Sequence, residues 1–462
     1  RIVVELDRGA GASALASEAY RPPARLLSAV GPGFAHGARD VDVRAPSAPT
    51  AEPMTESTPP SYPAWQFEVE EEGLHRVSYK WAQDNAAAYP GLLEFLTSHD
   101  PRQYSLWSQG VEVPILVDGE ADGSFDPPTA GRPEGDFILF HGQPVSGDIL
   151  DPDVWQGGDY TDTNVYRLEI APSPARIAGS HAAPAGVDPV PGSFPQTVRR
   201  EPNDRFQGFV SGDGVDHWYH YPWINTDAGV DAVDLLVDTP GYAGGPIDLR
   251  ARLHSFDYEP GLHRTEVLVD GELVDGCGDG DNGCVDWDGF REFTHGVDQG
   301  PVTFTKALAP TATVTIGAPL GRGAAYDQVM VNWVELDYDR LYEAVSQRLL
   351  FTAENEDREL HVGGFSELPE VWDVSETTVS EAGMELALPE RLTGVALQGD
   401  EARFEIDPDG ALPPTRAFSA AASGGFLTPS HAREDLPPSS VDANLGDSLL
   451  ADGLGADWVV IG

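Results

Sequence analysis

One stretch constrains the fold of this chain more than any other: DQVMVNWVELDYDR, residues 327–340, the longest unbroken strand pattern in the sequence. Its even positions are apolar with one break at Asn332: Met330, Val334, Leu336 and Tyr338. Its odd positions begin apolar and end acidic: Val329, Val331 and Trp333, then Glu335, Asp337 and Asp339. Such a strand is buried on both faces where it enters a sheet and on one face where it leaves. We therefore expect it to be the central partner of the strands that begin near Glu201.

The segments around this strand predict a mostly β chain of two or three antiparallel modules, one of them a jelly-roll-like sandwich. The clearest segments before it are VDLLVD, DLRARLHS, EVLVDGELV and ATVTIG. Asp270-Gly271 predicts a two-residue hairpin turn, because type I′ geometry needs positive φ at both positions. Further upstream, alternation on both sides of Glu71-Glu72-Gly73 predicts a second hairpin, followed by a short helix within 81–98.

Composition shifts divide the chain into six parts. They are a leader and linker (1–61), a mostly β N-terminal domain (62–172), a linker (173–200), the β-sandwich (201–345), a small β module with a linker (346–450), and the start of a truncated α/β domain (451–462). The last assignment rests on the apolar run from Trp458 to Ile461, which is typical of a strand buried in a parallel sheet. Because the chain begins at Arg1 without a signal peptide, we expect both ends to have been cut from something longer.

The charge balance excludes some partners. The chain has 28 basic and 76 acidic residues, a net charge of −48. A surface this negative repels nucleic acid and anionic lipid, so neither is expected as a partner. No run of 18 apolar residues occurs, and we expect no membrane insertion.

The two cysteines, Cys277 and Cys284, lie close together in the acidic loop GCGDGDNGC. Without histidine partners they do not form a zinc site, and a disulfide suits such a loop better; it would stabilise the chain by roughly 2–3 kcal/mol. A disulfide indicates an oxidising, extracytoplasmic setting. A nucleophilic role is disfavoured, because surrounding carboxylates raise the pKa of a thiol.

A candidate calcium site lies in the loop DGEADGSFD and just after it: Asp118, Glu120, Asp122, Asp126 and Asp136. Carboxylates at alternate positions around a glycine can wrap a hard cation. Thr129 stands where an EF-hand-like loop would have its bidentate glutamate. The alternative is an acidic hairpin turn, in which aspartate and glycine are the common residues.

Two further groups are weaker metal candidates. The cysteine loop carries Asp275, Asp279, Asp281, Asp286 and Asp288, which could bind calcium or simply form a solvated face. His217 and His220 are three residues apart, a spacing that places them on opposite faces of a strand and disfavours a shared zinc. The aromatic residues beside them, Tyr219, Tyr221 and Trp223, are expected to pack, with stacking on sugars as the alternative.

Two motif spellings are attributed to chance. GDSL at 446–449 has no apolar strand before it and no histidine after it. The G-x-G-x-x-G spelling at 278–283 lies inside the acidic cysteine loop, where carboxylates would repel a pyrophosphate.

The order of segments resembles the non-catalytic N-terminal region of gingipain-like cysteine peptidases, including relatives that act in type nine secretion. The matching segments are FEVEEEGLHRVSY, SQGVEVPILVDGEADGSFD, GDFILFHG, DTNVYRLEI, DQVMVNWVELDYDR, LHVGGFSELPEVWDVSE and NLGDSLLADGLGADWVVIG, which together extend from about Trp65 to Gly462. The resemblance implies that a caspase-like α/β domain with a catalytic His and Cys follows Gly462. Neither catalytic position falls within these residues, so no catalytic residue is assigned.

The expected function is therefore the propeptide or scaffold portion of a secreted gingipain-like cysteine endopeptidase, whose partner is its own downstream catalytic domain. The alternative is a cell-surface adhesive or carbohydrate-binding β-sandwich protein with calcium in its acidic loops. Tight association with a catalytic domain favours the first interpretation, whereas glycan binding and chelator-sensitive melting favour the second.

Overall fold

The computed structural model describes residues 63–145, 163–184, 186, 192–208, 210, 216–256, 262–276, 285–319, 327–380 and 384–435. All of them belong to one compact unit. Most of their elements are strands in antiparallel sheets, which confirms the prediction of a mostly β fold. No helix in these ranges is long and apolar enough to span a membrane. Both cysteines and the predicted start of an α/β domain at 451–462, with its strand from Trp458 to Ile461, lie outside them.

The first part, here called the N-terminal module, packs two sheets around one apolar core. Its elements are β1 (Ala64–Val69), β2 (Gly73–Ser78), α1 (Tyr79–Asp84), α2 (Leu92–Ser98), β3 (Tyr104–Ser108), β4 (Val111–Val113), β5 (Leu116–Asp118), β6 (Phe137–Gly142) and β7 (Asn164–Ile170). One sheet contains β1, β7, β3 and β4, and the other has the order β2-β6-β5. Alternating residues such as Phe67, Leu106 and Phe140 fill the space between the sheets, as the period-2 pattern predicts.

The second part is the sandwich. After β8 (Ala178–His181), its elements are β9 (Ser193–Arg200), β10 (Arg205–Phe206), β11 (Trp218–Tyr219), β12 (Ile224–Asn225), β13 (Ala232–Asp238), β14 (Pro246–Ser255), β15 (Leu262–Val269), β16 (Glu272–Asp275), β17 (Val285–Asp288), β18 (Glu292–His295), β19 (Val302–Thr305), β20 (Thr311–Gly317) and β21 (Gln328–Leu341). The first sheet is built on β21 and β14, and the second has the order β13-β20-β15-β16. The Asp270-Gly271 turn is confirmed, with φ values of 46° and 76°.

The long strand β21 is central, as predicted, and a β-bulge explains its mixed pattern. The register with β14 shifts between Arg252 and Leu253, whose partners on β21 are Trp333 and Val331. The extra residue, Asn332, reverses the faces of the strand. Val329 and Val331 therefore face the sandwich core before the bulge, and Val334, Leu336 and Tyr338 face it afterwards. Met330 faces the other way and packs against Tyr219, although its even position places it with Val334 in the sequence pattern.

The rest of the described chain forms the third module. Its strands are β22 (Arg348–Glu354), β23 (Arg358–Val362), β24 (Glu370–Asp373), β25 (Thr377–Val379), β26 (Glu385–Ala387), β27 (Glu390–Thr393), β28 (Ala396–Gln398), β29 (Glu401–Ile406), β30 (Thr415–Ala421) and β31 (His431–Asp435). A buried ion pair joins Asp373 to Arg416, which are 4% and 6% exposed. Arg416 also donates to the backbone carbonyl of Asp407 at 2.8 Å.

The modules are tied together by strands that cross between them. β31 is the last strand of the third module in the chain but pairs with β1 of the N-terminal module. β8 precedes the sandwich but pairs in parallel with β27 of the third module. A small shared core, which includes Leu74, Leu139, Trp372 and Ala421, lies between the N-terminal and third modules.

Two expectations differ from this arrangement. The prediction of a hairpin around Glu71-Glu72-Gly73 is wrong: β1 pairs on one edge with β31 and on the other with β7, so no edge remains for β2. The stretch 173–200, whose composition predicts a linker, contains β8 and β9, each paired with a distant strand. Proline and glycine content does not report such long-range pairing.

Candidate functional site

The acidic loop predicted to bind calcium joins β5 to β6 and contains an arginine of its own. The guanidinium of Arg132 contacts the carboxylates of both Asp118 and Asp136, the second at 2.7 Å. Gly119 has a φ of 91°, and a Cβ atom there would come within 2.2 Å of the Asp136 carboxylate. The glycine is therefore required for this close approach.

The other predicted ligands also have protein partners. Glu120 lies 2.9 Å from the guanidinium of Arg176, and Asp122 accepts a backbone N–H of its own loop at 2.9 Å. Asp126 contributes its backbone N–H, which donates to Asp136 at 2.8 Å. Within the described part of the chain, no group of three or more His, Cys, Asp or Glu residues could hold a metal ion. Calcium binding by these residues stays a prediction.

Asp136 is the buried member of this loop, with 1% exposure. Burial raises the pKa of its carboxyl, whereas the N–H of Asp126 and the charge of Arg132 lower it. A buried carboxylate stays charged only with such partners. Arg132 therefore supplies positive charge where the sequence suggests a bound cation.

In the second acidic loop, Cys277, Cys284, Asp279 and Asp281 lie outside the described residues. Of its other carboxylates, Asp286 receives hydrogen bonds from Arg264 at 2.8 and 3.2 Å. Asp275 lies 2.6 Å from His295, and for Asp288 only the backbone is described. The disulfide stays a prediction.

A buried chain of hydrogen bonds crosses the sandwich, and sequence analysis missed it. Trp287 donates to the hydroxyl of Thr265 at 3.2 Å, that hydroxyl lies 2.9 Å from Nε2 of His295, and His295 donates through Nδ1 to Asp275 at 2.6 Å. The Thr-His-Asp order resembles a nucleophile with its base. Thr265 and His295 are both 0% exposed, however, so no substrate reaches them. No local motif signals the chain, because its members lie on four different strands.

Three more histidines of the sandwich have structural partners as well. His217 lies 3.1 Å from the backbone carbonyl of Gln207, and His220 lies 2.9 Å from a carboxylate oxygen of Asp204. His263 forms a buried pair with Asp327, at 2.6 Å. His217 and His220 therefore contact two different residues, Gln207 and Asp204.

The sandwich carries an open groove of about 980 Å³ between β9 of one sheet and β13 of the other. Tyr221 and Leu236 are 50% and 63% exposed, so both present large apolar surface to the groove. The lining includes Arg199, Arg200, Asp204, His220, Tyr221, Asp234, Leu236, Asp238 and Thr311. Apolar and polar groups thus converge in one concave surface, as they do in ligand sites.

A second concave surface, here called the junction crevice, has a volume of about 440 Å³ and is lined by all three modules. Glu71 of the N-terminal module pairs with Arg348 of the third module at 2.9 Å on its rim. Arg340 of the sandwich also lines it. Burial lowers the pKa of Arg340.

Comparison with known proteins finds a likeness in fold only. No protein-family model matches the sequence, and no curated protein matches it. The structure is similar to that of dimeric latent PorU from Porphyromonas gingivalis, with a TM-score of 0.54 and 10% identity. The similarity covers 82% of this chain and 33% of the PorU chain, so the chain spans about a third of that protein. The fold of this chain is therefore PorU-like.

Two other solved structures are much less similar. The CBM36-1 domain of a xylanase from the hindgut metagenome of Trinervitermes trinervoides has a TM-score of 0.19 and 13% identity, over 31% of this chain and 95% of its own. The ANX1 ectodomain from Arabidopsis thaliana has a TM-score of 0.22 and 12% identity, over 60% and 81%. Scores this low carry no argument about fold or function.

Proposed function

We propose that this chain is the non-catalytic propeptide or scaffold portion of a secreted gingipain-like cysteine endopeptidase. In this proposal the catalytic His and Cys lie in a domain beyond Gly462, and the chain packs against that domain and presents it. The proposal assigns no catalytic residue to the chain itself.

The observation that carries the proposal is the PorU-like fold, which extends over 82% of this chain but only 33% of the PorU chain. The sequence resemblance to gingipain-like peptidases consists of segments that occur in the same order along the chain, and the fold likeness is consistent with it. The PorU structure is of a latent form. A region that keeps a peptidase latent would act as a propeptide, which is the role proposed here.

The construction of the three modules supports a scaffold role. Modules joined only by linkers move relative to one another. Here β31 and β8 pair with modules distant in the chain, and the shared core around Leu74 and Trp372 fills the space between two of them. Strand pairing between modules and a shared core make the three modules rigid relative to one another, which suits a support for another domain.

Two experiments on purified proteins test the proposal. The chain of residues 1–462 is assayed for peptide cleavage with and without a thiol-alkylating reagent, and its binding to the separately produced downstream region is measured by calorimetry. We expect no alkylation-sensitive cleavage and a Kd of about 1 µM or tighter, as a specific complex requires. Cleavage abolished by alkylation, or no binding, contradicts the proposal.

The second candidate function, a cell-surface carbohydrate-binding protein, is favoured by one observation, the groove with its exposed Tyr221. Both candidates place the protein outside the cytoplasm.

A further inference from the structure

We propose that the groove between β9 and β13 binds a chain of neutral sugars. The proposal rests on the second candidate function, whose ligand it names, and it does not depend on the scaffold role. Its volume of about 980 Å³ is at the upper end of the range for ligand sites, about 300–1,000 Å³, and suits several sugar units.

The first element of the site is a rigid aromatic platform. Tyr221 is 50% exposed, yet its ring packs edge-on against Trp223 with centroids 5.3 Å apart. Trp223 in turn stacks on Phe256 at 4.7 Å. The guanidinium of Arg205 lies 4.9 Å from the Tyr221 ring and 5.1 Å from the Trp223 ring. A tyrosine held in this way binds with little loss of side-chain entropy, and the apolar face of a sugar ring can stack on it.

The second element is the clamp beneath the platform. One carboxylate oxygen of Asp204 lies 3.0 Å from the backbone N–H of Tyr221 and 2.9 Å from Nδ1 of His220. Both contacts fix the segment that carries the ring. The clamp residues also line the groove, where Nε2 of His220 and the carboxylate of Asp204 can accept hydrogen bonds from sugar hydroxyls.

The third element is the opposite wall, formed by the outward side chains of β13. Leu236 projects between Asp234 and Asp238, and its 63% exposure offers an aliphatic contact. Thr315 and Thr311 donate hydrogen bonds to these two carboxylates at 2.6 and 2.9 Å. The remaining lone pairs of each carboxylate can accept from hydroxyl groups.

The charges favour a neutral ligand. Arg199 and Arg200 line the groove together with Asp204, Asp234 and Asp238, so charges of both signs are present. An acidic polysaccharide would also meet a protein of net charge −48 and be repelled. Neutral sugars, whose hydroxyls both donate and accept, satisfy carboxylates and arginines alike.

The test is calorimetric titration of the whole chain with neutral hexasaccharides: β-1,4-linked glucose, α-1,4-linked glucose and β-1,4-linked N-acetylglucosamine. Hexagalacturonate and an extended uncharged peptide serve as competing ligand classes. Tyr221→Ala and Leu236→Ala remove the two exposed contacts. Phe206→Ala and Leu368→Ala are the matched controls, since these side chains are 42% and 56% exposed and do not line the groove.

We expect at least one neutral hexasaccharide to bind, with affinity lowered tenfold or more by Tyr221→Ala and several-fold by Leu236→Ala, and unchanged in both controls. Leu236→Ala keeps the test decisive if Tyr221→Ala misfolds, because Leu236 is mostly in solvent. Failure of all three neutral sugars to bind overturns the proposal. So does binding that neither variant weakens, or binding of hexagalacturonate or the peptide in preference to the neutral sugars.

Discussion

The buried histidine His75 provides a quantitative test of how the N-terminal module is held together. It lies in β2, is 1% exposed, and stacks on Phe140 with ring centroids 5.4 Å apart. Its Nδ1 donates to the carbonyl of Gly73 at 3.0 Å. On the edge of β2 that does not pair with β6, the backbone of Leu427 forms two hydrogen bonds with the residues on either side of His75. Leu427 donates to Leu74 and accepts from Arg76, and it lies in the segment that leads into β31. A charge on this ring would therefore arise beneath the contact that joins the N-terminal and third modules.

The size of the effect follows from the pKa. The pKa of His75 is lowered from 6.5 to about 4, mainly by burial; the charges of His141 and Arg348 act in the same direction, and the hydrogen bond to Gly73 acts against it. Because the folded pKa is the lower one, the unfolded chain takes up a proton first as the pH falls. The stability that the neutral ring contributes is complete above pH ~6.5 and is lost progressively as the pH falls towards ~4. His75 alone should remove about 2 kcal/mol between pH 7.5 and 5.0, and about 3 kcal/mol by pH 4.

The assay is urea unfolding at pH 7.5 and 5.0, followed by tryptophan fluorescence and circular dichroism, for the wild type, His75→Gln and His431→Gln. The glutamine at position 75 does not titrate, so this variant should lose about 2 kcal/mol less stability between the two pH values than the wild type. The control replaces an exposed histidine in β31 and should follow the wild type. A pH dependence of His75→Gln equal to that of the wild type would refute the reasoning.

Two further predictions concern buried charges. Arg416→Met should lower the free energy of unfolding by about 3–5 kcal/mol, because Asp373 then remains buried without its partner. Urea unfolding measures this change, and a decrease in the free energy of unfolding of less than about 1 kcal/mol at every pH would contradict the prediction. Arg132→Gln should cost about 1–3 kcal/mol through the buried Asp136, and millimolar Ca²⁺ should restore part of that loss. Wild-type melting should not respond to Ca²⁺ or to a chelator, and a chelator-induced drop in the wild-type melting temperature would support the calcium site instead.

The local pattern of strands was predictable where one face of a strand is buried. β13 and β20 alternate between buried and exposed residues along their length, and the Asp270-Gly271 turn has the positive φ values that its residues favour. In these places the period of two and the turn chemistry are local properties, so the sequence contains them. The sequence likewise indicated β21 as the central strand of the sandwich.

The pairing of distant strands was not predictable in the same way. Nothing near β1 indicates that β31 will occupy its edge, and the resulting exclusion of β2 overturned the expected hairpin. The bulge at Asn332 is a further case: the sequence shows a break in alternation, but only the register with β14 shows that the two faces exchange.

For candidate sites, the sequence identified residue types but not their partners. The acidic loop was found from its spacing, yet Arg132, which contacts two of its carboxylates, carries no signal in an EF-hand-like pattern. The groove combines β9 and β13 with Tyr221, and these come together only after the sandwich has formed.

The measurement that tests the central claim most directly is the length of the native protein, from intact mass with C-terminal mapping and sequencing past Gly462. The scaffold proposal predicts a chain that continues into an α/β pattern with a His and then a Cys, each after a buried strand. A native protein that ends at Gly462 would contradict it, and a binding role of the sandwich would then be the working account.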